Sequence, residues 1–333
     1  MRFLLILLSC LAISLTVSWA SSSGKLSQAS AADALGHGIA LRLSNNIDNP
    51  ALGNKLPAEI LRLSPSQRYA LLADASKARI YVLENQNGEP HLIRDFYLTI
   101  GKNGVGKKVE GDKRTPLGVY TFASALPRSR LTPFYGAGAF PLDYPNAWDK
   151  AQGKTGHGIW LHGVPPNVYS RPPKDSDGCL VVTNPDWHKL ARYIQPDNTP
   201  IVITRRVEWL DRAAWLTKRQ ALFDTIANWK FDGAKPDDQA YFSHHSRDYL
   251  DNPGQSRHAS RERDIAHNER IALDLTEMSL FEYGKDPTAV LDFTQSHGRD
   301  VTPKQMYMKR EDGKWRIVLE EHMLPAPTMT ASN

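Results

Sequence analysis

"RYALLADASKARIYVLENQNGEPHLIRDFYLTIG", residues 68 to 101, alternates apolar and polar side chains. A period of two sends successive side chains to opposite faces of an extended chain, so the stretch predicts strands rather than a helix. Turn formers at Asp74 to Lys77 and at Asn85 to Gly88 break it into three pieces. The expectation is three antiparallel strands joined as hairpins. Outward from this core, "TPLGVYTF" (115–122), "GIWLHG" (158–163) and "PIVIT" (200–204) read as further short strands. Loops rich in Pro, Gly, Asn and Asp separate them, and Pro185 to Tyr193 reads as a short helix. A mainly β domain over about 65–205 follows.

The pattern changes at Val207. "VEWLDRAAWLTKRQALFDTIANW" holds Leu210, Ala213, Ala214, Phe223 and Ile226 at helical spacing, with no Gly or Pro. It predicts one long amphipathic helix. Strands then return: Ile271, Leu273 and Leu275 alternate, as do Trp315, Ile317 and Leu319. Glu311-Asp312-Gly313, between "QMYMK" and "KWRIVLEE", is a hairpin turn signal. Helix followed by meander predicts an α+β domain over 206–325, its sheet wrapped over the helix. Residues 21–64 are read as a linker or docking segment and 326–333 as a tail.

At the N-terminus, Arg2 precedes a mostly apolar run from Phe3 to Val17, and Ser18-Trp19-Ala20 closes it. That is the layout of a secretory signal cleaved after Ala20, with a retained membrane anchor as the alternative. In a bacterium this directs the mature chain to the periplasm or outside the cell. The 41 Lys+Arg and 36 Asp+Glu are well mixed along 333 residues. No basic block marks a nucleic-acid arm.

Export sharpens the reading of the cysteines. There are two, and Cys10 leaves with the signal. Cys179 then has no disulfide partner within the chain, and one thiol excludes a thiolate-rich metal cluster. A cysteine nucleophile needs a base and oxyanion donors. His162, ending the "IWLH" strand, is the best base, and the Gly163 carbonyl is placed to fix its tautomer. Gly178 permits a sharp turn that aims the amides of Gly178 and Cys179 at one oxygen. Pairing with His162 would lower the thiol pKa. The competing reading is a buried, inert cysteine.

These residues carry a resemblance. "HG", a Pro-rich loop, then "SDGC" resembles the signature of the L,D-transpeptidase (YkuD-type) catalytic domain. Gly111, Asp112, Lys113, Thr115, Pro116, Gly118 and Tyr120 are similar to the family's upstream strand motif. The resemblance spans about 67–205. It implies a YkuD-like β-sandwich with short helices, acting on peptidoglycan stem peptides. Cys179 would be the nucleophile, forming a thioester, with His162 as general base and acid. Gly163 would orient the histidine, and the Gly178 and Cys179 amides would form the oxyanion hole. Ser176, Trp160, Tyr144 and Arg171 would bind substrate, with Tyr135 and Lys174 as further candidates. No metal or organic cofactor is implied.

Two departures stand out. Asp177 occupies the position where the family usually has histidine, and Val181 the position where many members have arginine. The Ser-x-Gly-Cys form resembles a branch that includes cell-shape L,D-carboxypeptidases. The acceptor of the thioester is therefore an amine or water. In that branch a C-terminal domain like nuclear transport factor 2 follows, which the helix-then-meander pattern fits. The resemblance further implies dimerisation through the N-terminal segment and a glycan or protein ligand on the C-terminal domain. Of another class is a non-catalytic peptidoglycan-binding protein, but such a module has no need of a lone exported thiol. His244, His245, His258 and His267 match no familiar metal-ligand spacing.

Overall fold

The computed structural model describes residues 52–235, 238–250, 272–297 and 300–322. The signal segment, residues 21–51 and the tail lie outside the described residues.

The chain opens with β1 (Leu56–Pro57) and β2 (Ile60–Arg62). Next come β3 (Tyr69–Asp74), β4 (Arg79–Gln86) and β5 (Glu89–Tyr97), paired antiparallel as two hairpins. The short β6 (Ile100–Gly101) leads to β7 (Gly118–Thr121), β8 (Leu126–Pro127) and β9 (Gly138–Pro141). After helix α1 (Ala147–Ala151) come β10 (Trp160–His162), β11 (Lys174–Ser176) and β12 (Leu180–Val181). Helix α2 (Asn184–Leu190) starts at Thr183, whose hydroxyl accepts the Asp186 N–H, and β13 (Pro200–Thr204) completes the domain.

Two sheets form the sandwich, in the orders β5-β4-β3-β13-β7 and β12-β10-β9-β8. Between them lie Leu71, Ile80, Val82, Phe96, Ile201 and Ile203 from the first, with Phe140, Leu161 and Leu180 from the second. The neighbours Ala70, Leu72, Tyr81, Leu83 and Val202 face the other way, yet they are also buried. Burial on both faces explains the nearly unbroken apolar runs in "YALLAD" and "PIVIT".

What covers that second face is the C-terminal domain. After β14 (Trp209–Leu210), helix α3 runs from Arg212 to Gly233, followed by α4 (Asp238–Phe242) and α5 (Arg247–Leu250). Four long strands follow as a meander: β15 (Ala272–Tyr283), β16 (Thr288–His297), β17 (Asp300–Glu311) and β18 (Lys314–His322). One face of this sheet packs on α3 through Met278, Leu280, Leu291, Met306 and Ile317. The other meets the sandwich through Phe281, Tyr283, Val290, Tyr307 and Leu319.

Three readings are corrected. Residues 56–62 are not linker: β2 pairs antiparallel with β15 as the fifth strand of the C-terminal sheet, and β1 pairs with β14. Strands of two and three residues are too short for a period to be visible. The buried stripe of α3 is Trp215, Leu222, Ile226 and Trp229, while Ala213 and Ala214 are exposed and Leu210 precedes the helix in β14. Lastly, Trp315, Ile317 and Leu319 do not share a face. The register shifts between Tyr307 and Met308, opposite Leu319 and Ile317, and this bulge turns Leu319 toward the sandwich.

Candidate active site

The site rests on two short parallel strands. Leu161 pairs with Leu180 and His162 with Val181. One step earlier in the same register, Cys179 lies beside Trp160. Alternation puts Leu161 and Leu180 into the sandwich core and turns Trp160, His162 and Cys179 to the opposite face. His162 and Cys179 both line one cleft of about 750 Å³. A separation of 17 positions in sequence is thus closed by strand pairing.

His162 is 1% exposed. Its Nδ1 lies 2.6 Å from the Gly163 carbonyl oxygen. A carbonyl only accepts, so Nδ1 carries the proton and Nε2 keeps its lone pair. Gly163 cannot be otherwise. A Cβ there would come within 2.2 Å of Asn184 Oδ1 and 2.9 Å of the Ala137 nitrogen. That carboxamide fastens the loop: Oδ1 accepts from Ala137 N–H at 2.9 Å and Val164 N–H at 3.2 Å, and Nδ2 donates to the Val164 carbonyl at 2.9 Å. Asn184 was missed in the sequence, where it stands just before the helix expected from Pro185 to Tyr193.

The cysteine turn is equally constrained. Gly178 has φ +132°, and a Cβ would lie 2.9 Å from the Arg114 carbonyl oxygen and 3.0 Å from Ile159 Cδ1. Buried Thr115, from the upstream motif, accepts the Gly101 N–H at 2.9 Å and donates to the Gly178 carbonyl at 2.8 Å. Asp112, from the same motif, accepts from the N–H groups of Lys108, Val109 and Arg114 and from Lys107 Nζ. Burial opposes ionisation of Asp112. The Lys108 amide, the Lys107 ammonium and the other two amides outweigh it and hold the carboxyl at about 2.

Several expected roles change. Ser176 does not line the cleft: its hydroxyl accepts the Gly178 N–H at 3.2 Å and donates to the Cys179 carbonyl at 2.6 Å, closing the turn. The Gly178 amide is therefore engaged rather than aimed at an oxyanion. The Cys179 N–H makes no hydrogen bond among the described residues and remains as the donor. Tyr144 is buried in the sandwich, with its hydroxyl on the Thr155 carbonyl at 3.1 Å, so it cannot touch a ligand in the cleft. Trp160 lies beneath Tyr135, ring centroids 4.6 Å apart, and it is Tyr135 that lines the cleft. Arg171 does line it, stacked over Phe134 at 4.9 Å, and Lys174 does not. Asp177 faces the cleft mouth and pairs with Lys102 at 3.2 Å.

The expected thiolate–imidazolium pair is also corrected. Burial lowers His162 to about 4, against the Gly163 carbonyl, which favours the protonated ring. Burial raises the Cys179 thiol to about 11. The Trp160 backbone opposes this, Asp177 adds to it, and Arg171 and Lys107 oppose it more weakly. The thiol donates to the Gly158 carbonyl at 3.4 Å. Near neutral pH the resting site holds a neutral thiol and a neutral imidazole. Such a pair can still perform nucleophilic acyl transfer if the base takes the proton during attack.

Elsewhere, His244 Nε2 lies 2.8 Å from Asp232 Oδ2 and His245 Nε2 lies 3.6 Å from Glu320 Oε1. Both thus sit in ion-pair positions. His258 and His267 lie outside the described residues. Among the described residues no helix is long and apolar enough to cross a membrane.

Comparison with known proteins agrees with the two-domain fold. Residues 68–203 match the YkuD model, an L,D-transpeptidase catalytic domain, and residues 221–321 match the Cds6 C-terminal NTF2-like domain. The structure of Bd1075 from Bdellovibrio bacteriovorus superposes with a TM-score of 0.69 at 27% identity, covering 81% of this chain and 98% of that one. The helical cell shape determining protein Pgp2 from Campylobacter jejuni gives 0.66 at 22% identity, over 82% and 97%. The second likeness speaks for the fold. No curated protein sequence matches the chain.

Proposed function

From the premise that this chain carries a YkuD-type L,D-transpeptidase catalytic domain followed by an NTF2-like domain, we propose that it is an exported cysteine L,D-transpeptidase acting on peptidoglycan stem peptides. One observation carries the reading. His162 is fixed through Nδ1, leaving Nε2 as the basic atom, in the same cleft as the thiol of Cys179.

The substrate is a tetrapeptide stem whose third residue is meso-diaminopimelate or a similar diamino acid. As Cys179 Sγ bonds to the carbonyl carbon at the L-centre, His162 Nε2 takes the thiol proton. The Cys179 N–H meets the oxyanion. Collapse breaks the C–N bond, and His162 returns the proton to the departing D-Ala amine, leaving a thioester. An amine then attacks the thioester, His162 accepts its proton, and the thiol is restored. Hydrolysis by water, an L,D-carboxypeptidase reaction, is the second reading. Asp177 keeps it open: where the family usually has an imidazole this chain has a carboxylate tied to Lys102 at the cleft, so no second imidazole stands there to take a proton from an acceptor amine. Export rests on the N-terminal segment ending at Ala20.

The test is direct. Purified protein is incubated with disaccharide-tetrapeptide, with and without excess D-amino acid, and the products are read by mass spectrometry. Exchanged or dimeric products identify transfer, and tripeptide alone identifies hydrolysis. Absence of both, or equal turnover by Cys179→Ala, defeats the proposal.

A further inference from the structure

Three cations line the cleft: Lys102, Lys107 and Arg171. Lys102 answers Asp177, and Arg171 lies across Phe134. Lys107 is different. Its side chain is only 3% exposed, although it borders the cleft that holds Cys179. Its ammonium donates to the Val109 carbonyl at 3.0 Å and to Asp112 Oδ1 at 2.9 Å. An ammonium has three N–H donors, and the third has no acceptor among the described residues. Among the described residues, the carboxylate paired with it, Asp112, also accepts three backbone N–H groups, so its negative charge is shared four ways. A buried cation with a spare donor and a divided counter-charge is an incomplete arrangement. A second carboxylate, arriving with a ligand, completes it.

We propose that Lys107 is the carboxylate-binding residue of the cleft, taking a carboxylate of the stem peptide near the scissile bond. This rests on the peptidoglycan-peptide reading above. The position is rigid: Asp112 clamps the 107–112 loop, which places the ammonium before substrate arrives. Two carboxylates of one substrate share the chemistry, the C-terminus of the departing residue and the side-chain carboxylate of the diamino acid. A neutral amide can accept from the third donor but brings no counter-charge, so it binds less well than a carboxylate.

The experiment compares three tetrapeptides: the parent, one amidated at its C-terminus, and one amidated on the diamino acid side chain. Wild type is expected to prefer the parent over one of the amides by about 10- to 100-fold in kcat/KM, the range for a hydrogen bond to a charged group. Which amide is rejected identifies the carboxylate. Lys107→Met should lose that factor on the parent, mainly through KM, so that the parent and the rejected amide are turned over alike. Lys107→Arg should retain part of the preference. A purely structural lysine predicts otherwise: Lys107→Met slows all three substrates alike and the preference survives, which overturns the proposal. Equal turnover of all three by wild type overturns it without any variant. A wild type inert toward all three defeats the parent reading, and this one with it.

Discussion

At Cys179 and His162, burial decides the protonation states. The imidazole, at about 4, is neutral above roughly pH 5, and the thiol, at about 11, is protonated below roughly pH 10. Both competent forms coexist across that window, so kcat/KM should be flat through neutrality and fall below pH 5 as His162 protonates. A preformed ion pair would instead give an inflection between about pH 6 and 8, and a pH–rate profile separates the two. The same shift has a stability consequence. The folded pKa of His162 lies below its unfolded value of 6.5, so the unfolded chain binds the proton first. Stability is lost as pH falls from 6.5 toward 4, by about 2 kcal/mol at pH 5. In urea unfolding at pH 7 and pH 5, the change in wild-type stability should be about 2 kcal/mol less favourable than that of His162→Gln, since the raised carboxyls of Glu59, Asp143 and Asp292 contribute equally to both. Asn184→Ala tests the positioning. It strips partners from the Ala137 and Val164 N–H groups and the Val164 carbonyl, and should cost about 2–3 kcal/mol. Because Gly163 rests against that carboxamide, kcat should fall more than KM rises.

Among the elements, those with several residues per face could be read from sequence. The β3–β5 meander, β13 and the Asp312-Gly313 hairpin declare themselves through short apolar-rich runs bounded by turn formers, with Asp312 at φ +51° and Gly313 at +77°. The catalytic pair was readable for another reason: a strand-ending His-Gly and a Gly-Cys turn are short motifs with strict backbone demands. What stayed hidden depends on tertiary partners. Ser176 reads as a substrate contact until its two backbone bonds are seen. The bulge that reverses Leu319 leaves no mark in the pattern of β18. β1 and β2 are defined by what they pair with, and Trp215 shows it: its Nε1 donates to the Pro57 and Ile60 carbonyls, both at 3.1 Å. Trp215→Phe keeps most of the apolar bulk and removes that donor. It should destabilise by about 1–3 kcal/mol in urea titration, with little change in kcat, since the cleft is on another sheet.

For the whole molecule, the second face of the catalytic sheet and the second face of the C-terminal sheet make one apolar cluster. Leu72, Tyr81 and Val202 from one side meet Phe281, Val290 and Tyr307 from the other, none of them more than 6% exposed. An apolar, fully buried interface is unlike the polar contacts of domains that move independently. The two domains should therefore unfold in one cooperative transition. Tyr307 is the sharpest probe. It is fully buried, stacks on Trp148 of α1 at 5.7 Å, and donates its hydroxyl to Gln305. Tyr307→Ala opens a large void in the shared layer and should cost about 3–5 kcal/mol. Tyr307→Phe keeps the ring and should cost about 1 kcal/mol. Calorimetry on wild type should give one endotherm whose calorimetric and van't Hoff enthalpies agree. In Tyr307→Ala the endotherm should broaden or split, because the layer that transmits cooperativity has lost its centre. A wild type with two separated transitions, or a Tyr307→Ala that unfolds like wild type, would show instead that the shared cluster does not couple the domains.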